Sequence, residues 1–386
     1  MADARRHYLD LIRQDGVRLT PELAEAFGSV PRERFVPDGF HRRDGGWMTP
    51  DDRDFLTTVY RNDVLITKLN GDVPISSSSQ PSLMAIMLSA LDLRPGMRVL
   101  EIGAGTGYNA ALMAALGATV TSVDVQADVA GRARAALDRA GVTGVRVVTG
   151  DGYPGDPGST YHRIIVTVGI AGLSPHWFEQ LTPDGLVIAP VEHAGHHPVL
   201  AVRPGDPVTA AVVCSSGFMA AAGPLGARHA GSHPRSAGVL PELAETAPAR
   251  WSPPLDTTAY RDLWYAAGAW DRRATLATPA NWDQAHLVLL HDPTPAPPTD
   301  SMTDTAAKPA DDPVTSGAAV LPDGSVRAGG SEADRCTAAL VTLIDRWSDL
   351  NRPSMRDWRV GLALDGDPAA PIWAPHTWHL VPGARH

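Results

Sequence analysis

The chain has 386 residues, 44% of them hydrophobic and 20% charged, with a formal net charge of -10. That length exceeds the usual single domain, so a large core plus a smaller unit is expected, and no stretch approaches the roughly 18 uninterrupted apolar residues of a membrane span. The acidic balance opposes broad attraction to a phosphate backbone, so neither nucleic acid nor membrane is expected as a partner. The amino-terminal stretch "MADARRHYLDLIRQDG" lacks the apolar core of a secretory signal, and Cys214 and Cys336 stand far apart without a CxxC partner. Both features predict a cytoplasmic protein with free thiols.

Residues 5–40 read as helices and turns, and "LTPELAEAFGSV" carries a Thr-Pro start with acidic residues in its first turn. Residues 41–75 read as irregular and polar, a segment suited to cover a site. From Pro81 the texture changes: "SLMAIMLSAL" is helical in spacing, and "MRVLEI" (97–102) is a short apolar run bounded by glycines. "YNAALMAALG" then reads as helix, "TVTSVDV" as strand, "ADVAGRARAALDRAG" as helix, and "VRVVTG" and "RIIVTV" as strands. "SPHWFEQL" follows as helix and "GLVIAPV" as strand. Repeated βα units with apolar strands predict an α/β, Rossmann-like doubly wound parallel sheet. "PVLAVR" and "VTAAVVC" follow without an intervening helix and should form its antiparallel end.

Beyond residue 222 the Gly/Pro/Ser-rich "PLGARHAGSHPRSAG" reads as a boundary. The expected division is 1–75 as a covering segment, 76–222 as the core and 223–386 as a smaller α+β unit. Within the last, 291–317 is too poor in apolar residues to pack and predicts a mobile loop. Leu340, Leu343, Ile344, Trp347 and Leu350 recur at helical spacing before Pro353, an apolar stripe that should pack within the C-terminal unit.

The strongest chemical signal is "VLEIGAGTGYNAA", where glycines turn the first strand into a helix and let a ligand approach the main chain. The next strand ends in Asp124, about 20 residues on, placed for the hydroxyls of a ribose; the third ends in Gly150-Asp151-Gly152. The spacing is G-x-G-x-G rather than the G-x-G-x-x-G that fits a pyrophosphate, and Glu101 stands just ahead of it. A carboxylate repels a pyrophosphate and suits the ammonium of a methionyl group, so S-adenosyl-L-methionine is the expected cofactor. Glu101, Gly103, Ala104, Gly105, Gly107 and Tyr108 are assigned to the methionine end, Asp124 and Val125 to the ribose, and Asp151 and Gly152 to the adenine. For Asp151 a plain Asx-type turn is the alternative. "EHAGHHP" (192–198) lies between two strands and reads as a polar connection, so no metal is assigned.

An ordered set of motifs carries a resemblance. Pro31-Arg32-Glu33-Arg34-Phe35-Val36-Pro37, Ile75-Ser76 through Ser79-Gln80-Pro81, "PGMRVLEIGAGTGYNAA" and "GDG" resemble the protein-L-isoaspartate O-methyltransferase family over roughly residues 10–215. The resemblance implies a class I methyltransferase that esterifies a peptide carboxylate and leaves S-adenosylhomocysteine. It places Ser79, with Ser78 as second choice, against the substrate carboxylate; the alternative for Ser79 is a helix N-cap. His162 stands in "YHRIIVT" where the family commonly has an acid, which puts any role of that acid in doubt. "VTVG" after the fourth strand lacks the Asn/Asp-Pro-Pro-aromatic tetrad of many amino-methylating enzymes. The long C-terminal unit, which stand-alone repair enzymes are expected to lack, resembles relatives that modify ribosomally made peptides such as lanthipeptides and graspetides. The leading expectation is therefore methylation of an aspartate in a precursor peptide, leading to a succinimide (aspartimide); the alternative is general repair of isoaspartate in damaged proteins.

Overall fold

A computed structural model describes residues 2–42, 45–234, 240, 242–279, 282–291 and 316–381. Its centre is a sheet of nine strands. In chain order these are β1 (Arg98–Ile102), β2 (Thr119–Asp124), β3 (Val145–Thr149), β4 (Tyr161–Val166), β5 (Leu181–Pro190), β6 (Val199–Arg203), β7 (Thr209–Cys214), β8 (Trp358–Asp365) and β9 (Ile372–Leu380). Their spatial order is β9-β8-β7-β6-β5-β4-β1-β2-β3. The first five are mutually parallel, and β6 and β7 add the expected antiparallel end. The order reverses between β1 and β4, and this switch point is where open α/β sheets bind ligands beyond their carboxyl ends.

The last third of the chain returns to the same sheet. β8 pairs antiparallel with β7, Arg359 opposite Ala211, and β9 closes the edge. Other described residues of that third form a second, five-stranded antiparallel sheet covered by the helices Thr257–Trp270 and Ala333–Asp349. One continuous core joins it to the main sheet, from Leu100 and Ile164 through Trp177 to Trp264, Leu340 and Trp358. Leu340, Leu343, Ile344 and Trp347 are buried in that core, but Leu350 is 45% exposed. The stripe ends one turn early because Leu350 is the helix cap and Asn351 and Arg352 turn into positive φ before Pro353.

Residues 41–75, expected to be irregular, instead contribute to a four-stranded sheet over Phe40–Ser78. Leu65–Asn70 and Val73–Ser78 form its main hairpin, and Gly71 (φ 58°) supplies the left-handed turn residue. The serine tract is therefore a strand. Of the stretch 291–317, residues 292–315 lie outside the described residues, and Ser316 and Gly317 begin the strand Ser316–Val320. No helix among the described residues is long and apolar enough to cross a membrane. Both cysteines are free and buried.

Candidate active site

β1 leaves the sheet through a turn whose glycines do separate work. Gly103 (φ 99°) and Gly105 (φ 52°) adopt conformations closed to most side chains. A Cβ on Gly103 would stand 2.5 Å from Thr167 Oγ1, and one on Gly105 would stand 3.0 Å from the Ser77 carbonyl oxygen. Gly107 instead lets the following helix pack on Ala127–Ala140, since its Cβ would meet the Ala133 carbonyl at 3.3 Å. Thr167, at the end of β4, fixes the turn from the neighbouring strand by donating to the Gly103 carbonyl at 2.5 Å. Asp124 fixes it from the other side: Oδ2 accepts the Gly105 N–H at 3.1 Å and Oδ1 accepts the Gln126 N–H at 3.0 Å. Burial raises the Asp124 pKa, and these backbone donors oppose the rise.

Glu101 is the main departure from expectation. It is fully buried and does not line the cleft; it sits beneath the turn with Oε2 accepting from Ser122 Oγ at 2.5 Å and Oε1 accepting from Asn109 Nδ2 at 2.8 Å. Parallel register sets Glu101 opposite Ser122, and the sheet here is covered on both faces, so its side chain has no open route to solvent. Burial pushes its carboxyl up to about 7 against the pull of those two donors, with the Asp124 charge adding to the rise. Asn109, in the first turn of the helix Tyr108–Ala115, connects it to the cleft wall. Tyr108 also departs: its ring is buried among Phe27 and Phe35 with its hydroxyl 3.2 Å from that of Tyr8, although the residue borders the cleft.

The cleft itself is large, about 2470 Å³, and runs along the carboxyl ends of β1, β2 and β4. Ala104, Val125, Asp151 and Gly152 line it as expected. Val125 is 53% exposed, an apolar side chain standing open at the tip of β2. Asp151 does make the Asx-type turn, Oδ1 accepting the Tyr153 N–H at 2.9 Å, while Oδ2 faces Gly223 across the cleft. Residues that the sequence did not point to close this end: Gly366, Asp367 and Ala370 of the β8–β9 connection, anchored where Tyr153 Oη donates to the Pro371 carbonyl at 2.7 Å.

Ser78 and Ser79 both line the opposite wall. Ser79 does not cap the helix Pro81–Leu91. That cap comes from Asn62, whose Oδ1 accepts the Ser82 N–H at 2.9 Å. The Ser78 hydroxyl is buried with no hydrogen-bond partner among the described residues. Arg32, itself fully buried, holds the strand end in place: its guanidinium donates to the carbonyls of Val59 (2.8 Å), Arg61 (3.1 Å), Asp63 (3.0 Å) and Ser79 (3.0 Å). The sequence showed Arg32 within a motif but carried no signal of this clamp, which joins residues far apart in the chain. Gln126 adds a second tie, Nε2 donating to the Ile75 carbonyl at 3.0 Å.

Other singled-out residues lie away from the cleft. His162 Nδ1 accepts the Arg98 N–H at 3.0 Å at the amino end of the strands, the end remote from the cleft. In the 192–198 connection, His193 is buried with Nε2 2.9 Å from the Tyr265 carbonyl, and Trp264 Nε1 donates to the Ala194 carbonyl at 2.8 Å. This connection is the platform on which the helix Thr257–Trp270 docks.

A glycine turn with no room for side chains, a carboxylate at the tip of the next strand and a five-stranded parallel run reversing at that point together define the class I S-adenosylmethionine-dependent methyltransferases. The cradle fits that cofactor, because a Cβ at Gly103 or Gly105 would crowd the space beside it. The family profile Protein-L-isoaspartate(D-aspartate) O-methyltransferase (PCMT) matches residues 3–210, and the chain belongs to that family of carboxyl methyltransferases. It is similar to the protein-L-isoaspartate O-methyltransferase of Methanoculleus marisnigri, 47% identical over 184 residues, covering 47% of this chain and 73% of that one. The enzyme of the same name from Thermotoga maritima is 38% identical over 185 residues, and the match spans 47% of this chain and 53%, about half, of that relative's length. A solved structure named protein-L-isoaspartate O-methyltransferase shares the fold with a TM-score of 0.52 at 24% identity, covering 97% of this chain and 99% of that one. That likeness in fold runs through the C-terminal third as well.

Proposed function

We propose that the protein methylates the free carboxylate of isoaspartyl residues in protein or peptide substrates. The observation that carries this reading is the serine strand: Arg32 pins the Ser79 carbonyl, Asn62 relieves Ser79 of capping, and Ser78 keeps a buried hydroxyl at the cleft wall with no partner among the described residues. An unsatisfied buried hydroxyl costs about 1–3 kcal/mol, a cost a bound carboxylate would offset. Ser79 is the leading candidate for the substrate contact and Ser78 the second. The glycine turn and Asn109 would hold the methionine end of the cofactor, Asp124 and Val125 the ribose, and Asp151 and Gly152 the adenine, with Glu101 acting from beneath the turn.

When bound, S-adenosylmethionine supplies a methyl group activated by a sulfonium, and S-adenosylhomocysteine is the product. The residues of the chain need to orient and dehydrate the nucleophile rather than take its proton, since the free α-carboxyl of an isoaspartyl residue titrates at about 3.5 and arrives ionised. Neutral hydroxyl donors are suited to this, because they replace water at the carboxylate without fixing it in a salt bridge. No histidine is required, and none among the described residues lines the cleft.

A second reading is methylation of a chosen aspartate in a precursor peptide, leading to a succinimide. It is favoured by the C-terminal unit's share in the cleft wall, where that unit would shape one peptide. Matched peptides carrying aspartate or isoaspartate, followed by mass for a methyl ester, separate the two. Ester on isoaspartate in unrelated sequences supports the leading reading; ester on aspartate alone in one sequence supports the second; no ester on either refutes both.

A further inference from the structure

The cleft is asymmetric in charge. Its cofactor arm carries Asp124, Asp151 and Asp367, whereas Arg261, Arg352 and Arg356 of the C-terminal unit border another part of it, beside Asp262 and Asp357. An acidic arm suits a cationic cofactor. A basic arm in a chain of net charge -10 calls for a separate explanation.

Arg261 and Arg356 are held in fixed relation. Arg261 lies on the exposed side of the helix Thr257–Trp270, and Arg356 lies in the short turn Met355–Asp357. Asp262 locks the two elements together, Oδ1 accepting the Met355 N–H at 2.8 Å, and Asp357 Oδ2 accepts the Ser354 N–H at 2.8 Å to close the turn. The neighbouring carboxylates are thus engaged in capping. Arg356 donates through Nε to the Val213 carbonyl at 3.0 Å, its only side-chain hydrogen bond among the described residues, so its terminal nitrogens stay open. Arg261 has no hydrogen bond or ion pair among the described residues. Both guanidiniums act on Cys214 at the end of β7, where they oppose the burial that pushes its thiol up to about 12. Arg352 is different, because its guanidinium stacks over Trp251 and Trp347 at 5.3 and 5.7 Å.

We propose that Arg261 and Arg356 form a subsite for an acidic residue flanking the methylated one in the peptide substrate. The inference rests on the proposed function and adds a sequence preference to it. Exposed guanidiniums suit this use, since they recognise carboxylates in paired geometry and carry little desolvation penalty before binding.

The test compares kcat/KM for two isoaspartyl peptides that differ only in flanking Glu against flanking Gln, in the full-length enzyme. The wild type is expected to favour the Glu peptide about three- to tenfold at low salt, and the ratio should approach one at about 0.5 M salt, where the Debye length falls below about 5 Å. In R261Q/R356Q the ratio should be near one, and in R261E the Gln peptide should be preferred. Because each variant supplies its own reference peptide, a general loss of activity does not imitate the effect. The salt series on the wild type decides the question should the variants misfold. No preference in the wild type, a salt-independent preference, or an unchanged ratio in R261Q/R356Q overturns the subsite. Absence of ester on both peptides instead overturns the proposed function.

Discussion

Replacing Glu101 by Gln removes a buried charge while leaving an acceptor for Ser122 or Asn109, and its consequences for cofactor binding follow from the pKa of about 7. In the empty cleft, burial disfavours the carboxylate. An ammonium bound above the turn would favour it and return the group toward its usual value near 4.3. Binding then expels a proton wherever the empty protein holds one, so affinity rises with pH up to about 7 and levels off above it. At pH 6 the cost of deprotonation is about 1.4 kcal/mol, a tenfold loss of affinity relative to the plateau, with release of about 0.9 proton. Titration calorimetry of S-adenosylhomocysteine between pH 5.5 and 7, in buffers of different ionisation enthalpy, reads both quantities below the range in which an α-amino group titrates. Glu101→Gln should bind at the low-pH level throughout and release no proton. A flat wild-type affinity without proton release would refute a coupling between Glu101 and the cofactor.

Ser78→Ala deletes an unpartnered buried hydroxyl, so the empty protein should be as stable as wild type or slightly more so in urea unfolding, while kcat/KM falls about tenfold or more; loss of stability with full activity would assign the hydroxyl to the fold. Ser79→Ala should lower kcat/KM about 10- to 100-fold without weakening S-adenosylhomocysteine binding in calorimetry. Arg32→Lys cannot span four carbonyls and should cost about 3 kcal/mol or more in urea unfolding, with a raised KM for peptide; a stability equal to wild type would contradict the clamp. His193 and His233 are held down to about 3 and 4, chiefly by burial, from 6.5. The unfolded chain therefore takes up protons that the fold refuses, and their contribution is whole above pH 6.5 and falls as pH drops toward 4. At pH 5 the loss is about 2 kcal/mol for each. Urea unfolding from pH 7 to 5 should show this decline, shallower in His233→Gln, and an equal slope in that variant would refute the assignment.

What the sequence makes legible is whatever is local. Apolar runs of five or six residues ending in glycine or aspartate mark β1 to β4, and the glycine turn marks the cofactor end of the cleft. The burial of Glu101 is less visible, because it depends on the register that sets Ser122 beside it and on cover over both sheet faces. Residues 358–380 pair with a strand almost 150 positions earlier, and no local pattern announces that edge. The hairpin over Leu65–Ser78 is hidden by its polar sequence, although Asn70-Gly71 within it is a hairpin-turn signal. Arg32, Asn62 and Arg356 act on backbone groups of distant segments, and such partners have no signature in spacing.

In the proposed function, the serine strand and the glycine turn face one another across the point of methyl transfer. A crystal structure of the protein with S-adenosylhomocysteine bound reads that arrangement without an intermediate assumption. Ribose hydroxyls at Asp124 and a cofactor sulfur turned toward the Ser78–Ser79 strand are the expected result. A cofactor bound elsewhere, or with its sulfur facing away from both serines, would contradict it.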